Sequence, residues 1–266
     1  MDFGIFLLLL QDGLTSGAIY LLLAIGLLLV FSVTRVIFIP QGDFVAYGAL
    51  GMAALLGPML YRAAFRPLGQ ASVLTLLIVA MALHYVLLGL GLVMFGPEAS
   101  RTPAFSEGSV VVGGVEVSGH SLWVAGCCVA LVVGLRWVFR RTSLGRALRA
   151  TASNPLGARL MGIERVATGN LAFLLAGAIG GLAGLLIAPI TPIAYDSGFL
   201  EGLKGFIAAV IGGLVSYPVA AAGALAVGVI ESVSSFWASA YSEAIVFALL
   251  VPVLIWLSLR PSTEER

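Results

Sequence analysis

Few side chains in this sequence are of a kind that does chemistry, and most of those stand alone inside apolar runs. Asp12, Asp43, His84, Lys204 and Glu231 are titratable groups set among aliphatic residues. There they can carry a proton, hold an ion or pair with one another, and an ionisable group in an apolar span is a functional candidate by default. They show no metal-cluster spacing, and no phosphate loop or nucleophile–base pairing is evident. No catalytic residue, metal or cofactor is therefore expected, and the chain is not expected to hydrolyse ATP on its own. Cys127 and Cys128 are adjacent in an apolar run. Neighbours on a helix point in different directions, so they read as small packing residues and not as a disulfide.

Two stretches break helix beside polar groups. Between Arg35 and Asp43, Pro40 and Gly42 interrupt the helical pattern, with Gln41 and Asp43 alongside. Exposed backbone at membrane depth is tolerated only against protein or a cavity. Gln41, Gly42 and Asp43 therefore line a solute path or make a tight interfacial turn. The second break runs from Pro189 to Glu201, with Asp196 and Ser197 as candidate N-caps for a short helix, Gly202 to Gly213, that contains Lys204. A half-length helix with its N-terminus in the membrane interior offers free N–H groups to an anion. Ser197 and Lys204 are accordingly candidate pathway residues; the bland alternative is a helix that fills space. His84 reads as a hydrogen-bonded packing residue before a proton relay. Gln11 and Asp12 read as interfacial residues before a path-facing carboxylate.

The strongest local signal is a polar island, Arg140 to Arg165. Six of the fourteen basic residues lie here against one acid, Glu164. Asn154 can N-cap, Pro155 suits the first helical position, and Gly162 can supply a left-handed residue past the end. The resulting helix of about two turns is too short to persist alone in water. Leu156, Leu160 and Met161 share one face, and Arg159 falls off it. Such a helix between two spans is something another protein grips. An ordinary positive-inside loop would also need the arginines, but not the capped helices.

These features require a membrane to position them. Hydrophobic residues are 60% of the chain and charged residues 10%, against about 25% in soluble domains. The fold class is all-α, a polytopic helical membrane protein treated as a single domain over residues 1–266 with the loop 140–165 inside it. About seven (six to eight) transmembrane helices are expected, some re-entrant or broken. Ile5 to Val33, with Gln11-Asp12-Gly13 near its start, contains a sufficient span from Leu14. Phe44 to Leu60, Ala71 to Gly96, Ser121 to Phe139, Ala167 to Ala188, Val219 to Ser235 and Ala244 to Leu259 are the further apolar runs. Gly177, Gly180, Gly181 and Gly184 form a close-packing face for another helix, in this chain or across a subunit interface. Val110 to Val117 reads as a small hairpin about Gly113-Gly114. Its loop carries one arginine and three glutamates, so it falls on the side opposite the island. Arg62, Arg66, the island, Arg260 and Arg266 fall on the cytoplasmic side, and with them the C-terminus. No basic segment precedes the first run, so that run is not expected to be a cleaved signal.

The island, Ser143-Leu144-Gly145-Arg146-Ala147-Leu148-Arg149-Ala150-Thr151-Ala152, then Asn154-Pro155 and Ala158 to Ile163, resembles the cytoplasmic loop of branched-chain amino acid ABC transporter permeases. Asp12 to Leu27, Tyr61 to Leu68, and Gly202 to Gly213 with Pro218 and Glu231 are similar to the same family, in the same order. The resemblance implies an importer permease in a bacterial inner membrane, not an enzyme, forming half of a pathway for branched-chain amino acids or a similar solute. It implies that Gly145, Arg146, Arg149, Asn154, Pro155, Leu156, Arg159, Leu160, Met161 and Gly162 couple to the ATPase. The implied partners are two ABC ATPase subunits, a second permease (a related chain or a second copy), a periplasmic substrate-binding protein and membrane lipid, with no nucleic acid. An amide, urea or aromatic acid is the alternative solute. A stand-alone secondary transporter is the alternative class, with Asp43, His84, Lys204 and Glu231 as its only titratable candidates.

The sequence departs from the family twice. Where the family reads Asn-Phe-Ala-His-Gly-Asp, Phe38 to Asp43 keeps only Gly42 and Asp43. Phe44 to Leu60 has room for one span where the family tends to have two. Either the N-terminus lies on the cytoplasmic side, or this stretch does not fully cross.

Overall fold

The structure, a computed structural model, describes residues 3–48, 53–68, 71–106, 108–112, 115–214, 216–249, 251–253 and 255. It is almost entirely helical. The long helices are α1 (Phe3–Thr34), α4 (Val73–Phe95), α5 (Gly119–Arg141), α8 (Arg165–Ile187) and α10 (Tyr217–Ala238). Between them lie α2 (Asp43–Gly48), α3 (Ala53–Leu60), α6 (Ser143–Ser153), α7 (Pro155–Leu160), α9 (Ser197–Ile211) and α11 (Ser242–Ala248). Among the described residues five segments are long and apolar enough to cross a membrane. The last of these, Tyr217–Val253, is broken by a 3₁₀ turn at Ser239–Tyr241. The expected hairpin forms from β1 (Ser109–Val112) and β2 (Val115–Ser118), antiparallel with Val110 opposite Val117. Gly113, Gly114 and Glu107 lie outside the described residues, as do Arg260, Arg266 and the C-terminus.

Helix α1 is the hub. It packs on α10, α8, α9 and α5, and is buried over most of its length. The helix runs unbroken through Gln11-Asp12-Gly13, and Gly13 and Gly17 lie directly against the α10 backbone at Val229 and Leu225. Those glycines admit a backbone contact, and van der Waals packing of this kind drives helix association where lipid tails are as apolar as leucine. Helices α4 and α5 are largely exposed, as lipid-facing spans should be.

The end of α1 near Thr34 lies with the arginine island, since Leu29 and Val33 pack on Leu148 of α6. At the opposite end Ser100 pairs with Ile193, and Arg101 donates to the carbonyls of Pro189 and Ile190, just past the C-terminus of α8. That is where a cation complements the orphan carbonyls of a helix end.

The glycine face of α8 packs within this chain, on the stretch that follows α1. Gly180 meets Phe44, Gly184 meets Val45, Gly181 meets Gly48, Gly177 meets Ala53, and Gly169 meets Tyr61. The contacts climb α8 and then descend it. Residues 35–48 therefore run from the arginine end to the upper part of α8, and residues 53–66 lead back to the end that was left. This resolves the parity left open by the sequence: Phe44 to Leu60 does not cross. Helices α2 and α3, six and eight residues long, span only about 9 and 12 Å. The N-terminal end of α1 thus lies opposite the island. The chain re-enters a second time at α9, which begins at Ser197, five residues before the expected Gly202, and ends at Ile211.

Candidate functional site

Three polar constellations stand out, two inside the bundle and one at its end. The first gathers where α1, α8 and α9 close on the returning segment. A 3₁₀ turn at Ile39–Gln41 carries Pro40 near its start and leads directly into α2. Gln41 is 2% exposed; its Nε2 donates to the Ala176 carbonyl at 2.9 Å, and its Oε1 is buried without a hydrogen-bond partner. Asp43, 3% exposed, meets Nδ1 of His84 at 2.9 Å. The His84 ring stacks on Phe199 of α9 at 4.6 Å. A carboxylate at this depth needs a partner, and α4 supplies it. His84 is thus hydrogen-bonded inside the bundle, as the sequence reading favoured, and its partner is Asp43.

Gly42 lies against Gly198 and Gly202 of α9 with no room for a Cβ on any of the three. Gln41, Gly42, Asp43 and Ser197 therefore share one junction. Ser197 opens α9 half-exposed, its Oγ accepting from the Ala194 N–H at 3.0 Å. Asp196 occupies the N-cap position without a side-chain cap bond. Gly42→Leu should lower transport more than it lowers membrane insertion, because the added side chain must part α9 from the returning segment. Full uptake in that variant, at normal abundance in the membrane, would remove the junction from the transport cycle.

The second constellation is built around Lys204. Lys204 does not join Gln41 and Asp43; it is 5% exposed and locked by other groups. Its Nζ lies 2.6 Å from Glu231 of α10, 3.3 Å from Glu201 one helical turn back, and 3.2 Å from the Tyr20 hydroxyl of α1. Tyr20 also donates to Glu231. Three helices are tied through one ammonium. Sequence reading singled out Lys204 and Glu231 separately and missed Tyr20 and Glu201. The only local hint was the i,i+3 spacing of Glu201 and Lys204.

The third is the island. Thr142 caps α6, accepting from Gly145 N–H at 3.1 Å, and Gly145 lies against the backbone of Val138 and Phe139, which folds α6 back on α5. Asn154 caps α7, accepting from Gly157 N–H at 2.9 Å, with Pro155 at the first helical position. Gly162 follows at φ +81°, the left-handed conformation that glycine adopts freely. Leu148 and Ala158 anchor the pair inward. Leu156, Leu160 and Met161 point away, 70%, 81% and 82% exposed. Arg146, Arg149 and Arg159 are also exposed. Beside α7 a groove of about 670 Å³ is lined by Arg66, Arg159, Arg165 and Leu156. The island therefore touches both α1, through α6, and the exit of the returning segment, at Arg66.

The family model described as the branched-chain amino acid transport system / permease component matches residues 9–254. The high-affinity branched-chain amino acid transport system permease protein LivH of Salmonella typhimurium is 28% identical over 294 residues, covering 96% of this chain and 96% of that protein. The corresponding protein BraD of Pseudomonas aeruginosa is 28% identical, covering 93% and 92%. The autoinducer 2 import system permease protein LsrC of Escherichia coli is 34% identical over 87 residues, 32% of this chain. No solved structure matches the chain.

Proposed function

The chain belongs to the branched-chain amino acid transport system permease family, a transport component and not an enzyme, and from that premise we propose that it forms half of the pathway of an ABC importer for branched-chain amino acids. The observation that carries the reading is α7, a capped two-turn helix at the end of the spans with its apolar face turned outward. Soluble surfaces rarely leave three adjacent large apolar side chains uncovered. An ATPase subunit covers them in this reading, one on this chain and one on a second permease. A substrate-binding protein delivers the solute at the opposite end, beside the β1–β2 hairpin.

Coupling runs through contacts already described. Movement of α7 is carried by α6 to α1 through Leu148, Leu29 and Val33. Gly26 of α1 rests on Gln41, and Leu23 rests on Gly205 of α9. A shift of α1 thus reaches the Gln41–Gly42–Asp43 junction and α9 together, and the junction is the gate. ATPase closure biases a two-state packing, which is all a ligand or partner can do. A different small solute is the second reading, favoured by the LsrC-like stretch; the departure from the family at Phe38 to Asp43 falls in the gate itself.

Uptake of labelled leucine in the assembled importer should vanish when the Walker lysine of the partner ATPase is replaced. Uptake that persists would assign transport to this chain alone. The island is expected on the cytoplasmic side: a cysteine at position 146 should resist membrane-impermeant maleimide in intact cells and react in inverted vesicles. Labelling from outside would reverse the topology.

A further inference from the structure

At the arginine end a second cavity, of about 780 Å³, opens between α1, α5, α6 and the start of α10. Its floor is aliphatic: Leu21 and Ile25 of α1, Val132 and Leu135 of α5, Leu214 and Ala221. Its mouth carries four arginines, Arg35, Arg136, Arg140 and Arg149, and no lining residue is acidic. Among the described residues none of the four takes part in an ion pair; the ion pairs formed are those of His84 and Lys204. Arg35 is held there by its backbone, leaving α1 at φ +60°, a conformation non-glycine residues rarely adopt, with its guanidinium over the Phe31 ring at 5.8 Å.

We propose that this cavity is a binding site for one anionic phospholipid, with the headgroup phosphate held by Arg35, Arg136 and Arg140 and an acyl chain laid along the aliphatic floor. Three observations choose a lipid over a protein segment. The charge is of one sign and unneutralised, so the occupant is anionic. The floor beneath it is apolar for the depth of several turns of α1 and α5, which an acidic peptide could not fill without burying polar backbone. The α5 wall is also the most lipid-exposed of the candidate spans, and Trp137 stands 62% exposed between Arg136 and Arg140, where an aromatic side chain marks the headgroup level. Arginine forks match phosphate oxygens in pairs. Under the proposed topology this mouth opens to the cytoplasmic leaflet, the one rich in anionic lipid. The bound lipid wedges α6 against α1, so it holds the link between island and gate.

The test uses the intact importer, purified in mild detergent and exchanged into vesicles of phosphatidylglycerol or phosphatidylcholine, with retained lipid counted by native mass spectrometry. Phosphatidylglycerol should be retained at least about tenfold over phosphatidylcholine. Arg35→Gln with Arg136→Gln and Arg140→Gln should erase that preference. Leu135→Trp, which fills the floor and leaves every arginine in place, should lose the lipid as well; it guards against a charge variant that merely misfolds. Equal retention of both lipids by the wild type, or undiminished phosphatidylglycerol on the Leu135→Trp variant, would overturn the site. A photo-crosslinker at position 221 that captures a neighbouring protein chain instead of lipid would also overturn it.

Discussion

Leu160→Asp should abolish solute uptake while the permease still inserts and the binding protein still delivers. Leu160 is 81% exposed on α7, beside Leu156 and Met161. Covering three such side chains supplies roughly 1.5–3 kcal/mol each before the cost of ordering two surfaces. An aspartate in the middle of that face loses one share and adds a carboxylate that must be desolvated. ATPase binding should weaken by about 10–100-fold, and vesicle uptake should fall with it. Arg159→Ala is the control. Its guanidinium is exposed, and exposed ion pairs contribute under about 1 kcal/mol, so uptake should drop by less than about fivefold. Pull-down of the ATPase by each variant, alongside uptake, separates docking from transport. Equal behaviour of the two variants would reduce the island to an orientation signal.

The second large effect falls on Lys204. Lys204→Met leaves Glu201 and Glu231 facing each other inside the bundle with no cation between them. Removing one partner of a buried ion pair costs about 3–5 kcal/mol, because the remaining charge stays desolvated. The thermal unfolding midpoint of the purified chain should fall steeply and detergent solubility should suffer. Adding Glu201→Gln and Glu231→Gln to Lys204→Met should recover much of the loss, since neutral side chains of the same shape leave no charge unpaired. If Lys204→Met alone is as stable as the wild type and loses only transport, the cluster is hydrated and faces the solute path, and the pathway assignment made for Lys204 from the sequence returns.

What could be read in the sequence was local. The caps of α7 were legible because Asn154, Pro155 and Gly162 act within a turn of themselves. The hairpin was legible for the same reason, and the spans because their apolar runs exceed what a soluble core needs. The glycine stripe of α8 announced a close contact but not its partner, since spacing says only that something approaches. The polar groups were visible and their partners were not. Asp43 and His84 are separated by 41 residues, and Tyr20 and Glu231 by 211.

By itself the sequence determined the membrane class, the positions of helix starts and stops around the island, and the asymmetry of arginines between its loops. Each follows from properties that a residue carries into any surroundings: hydropathy, a fixed proline φ, a capping oxygen, a charge. Only the tertiary structure decided that Phe44 to Leu60 turns back, that Lys204 is locked, and that Asp43 has a counter-group. A run of aliphatic residues is equally suited to crossing a membrane or to lying on glycines within one. The choice was made by α8, whose Gly177, Gly181 and Gly184 leave a surface on which a backbone can rest. Beyond the i,i+3 pair of Glu201 and Lys204, a buried charge likewise has no local clue to its partner, because the strength of its pairing depends on distance through a low-dielectric interior, and chain separation does not enter.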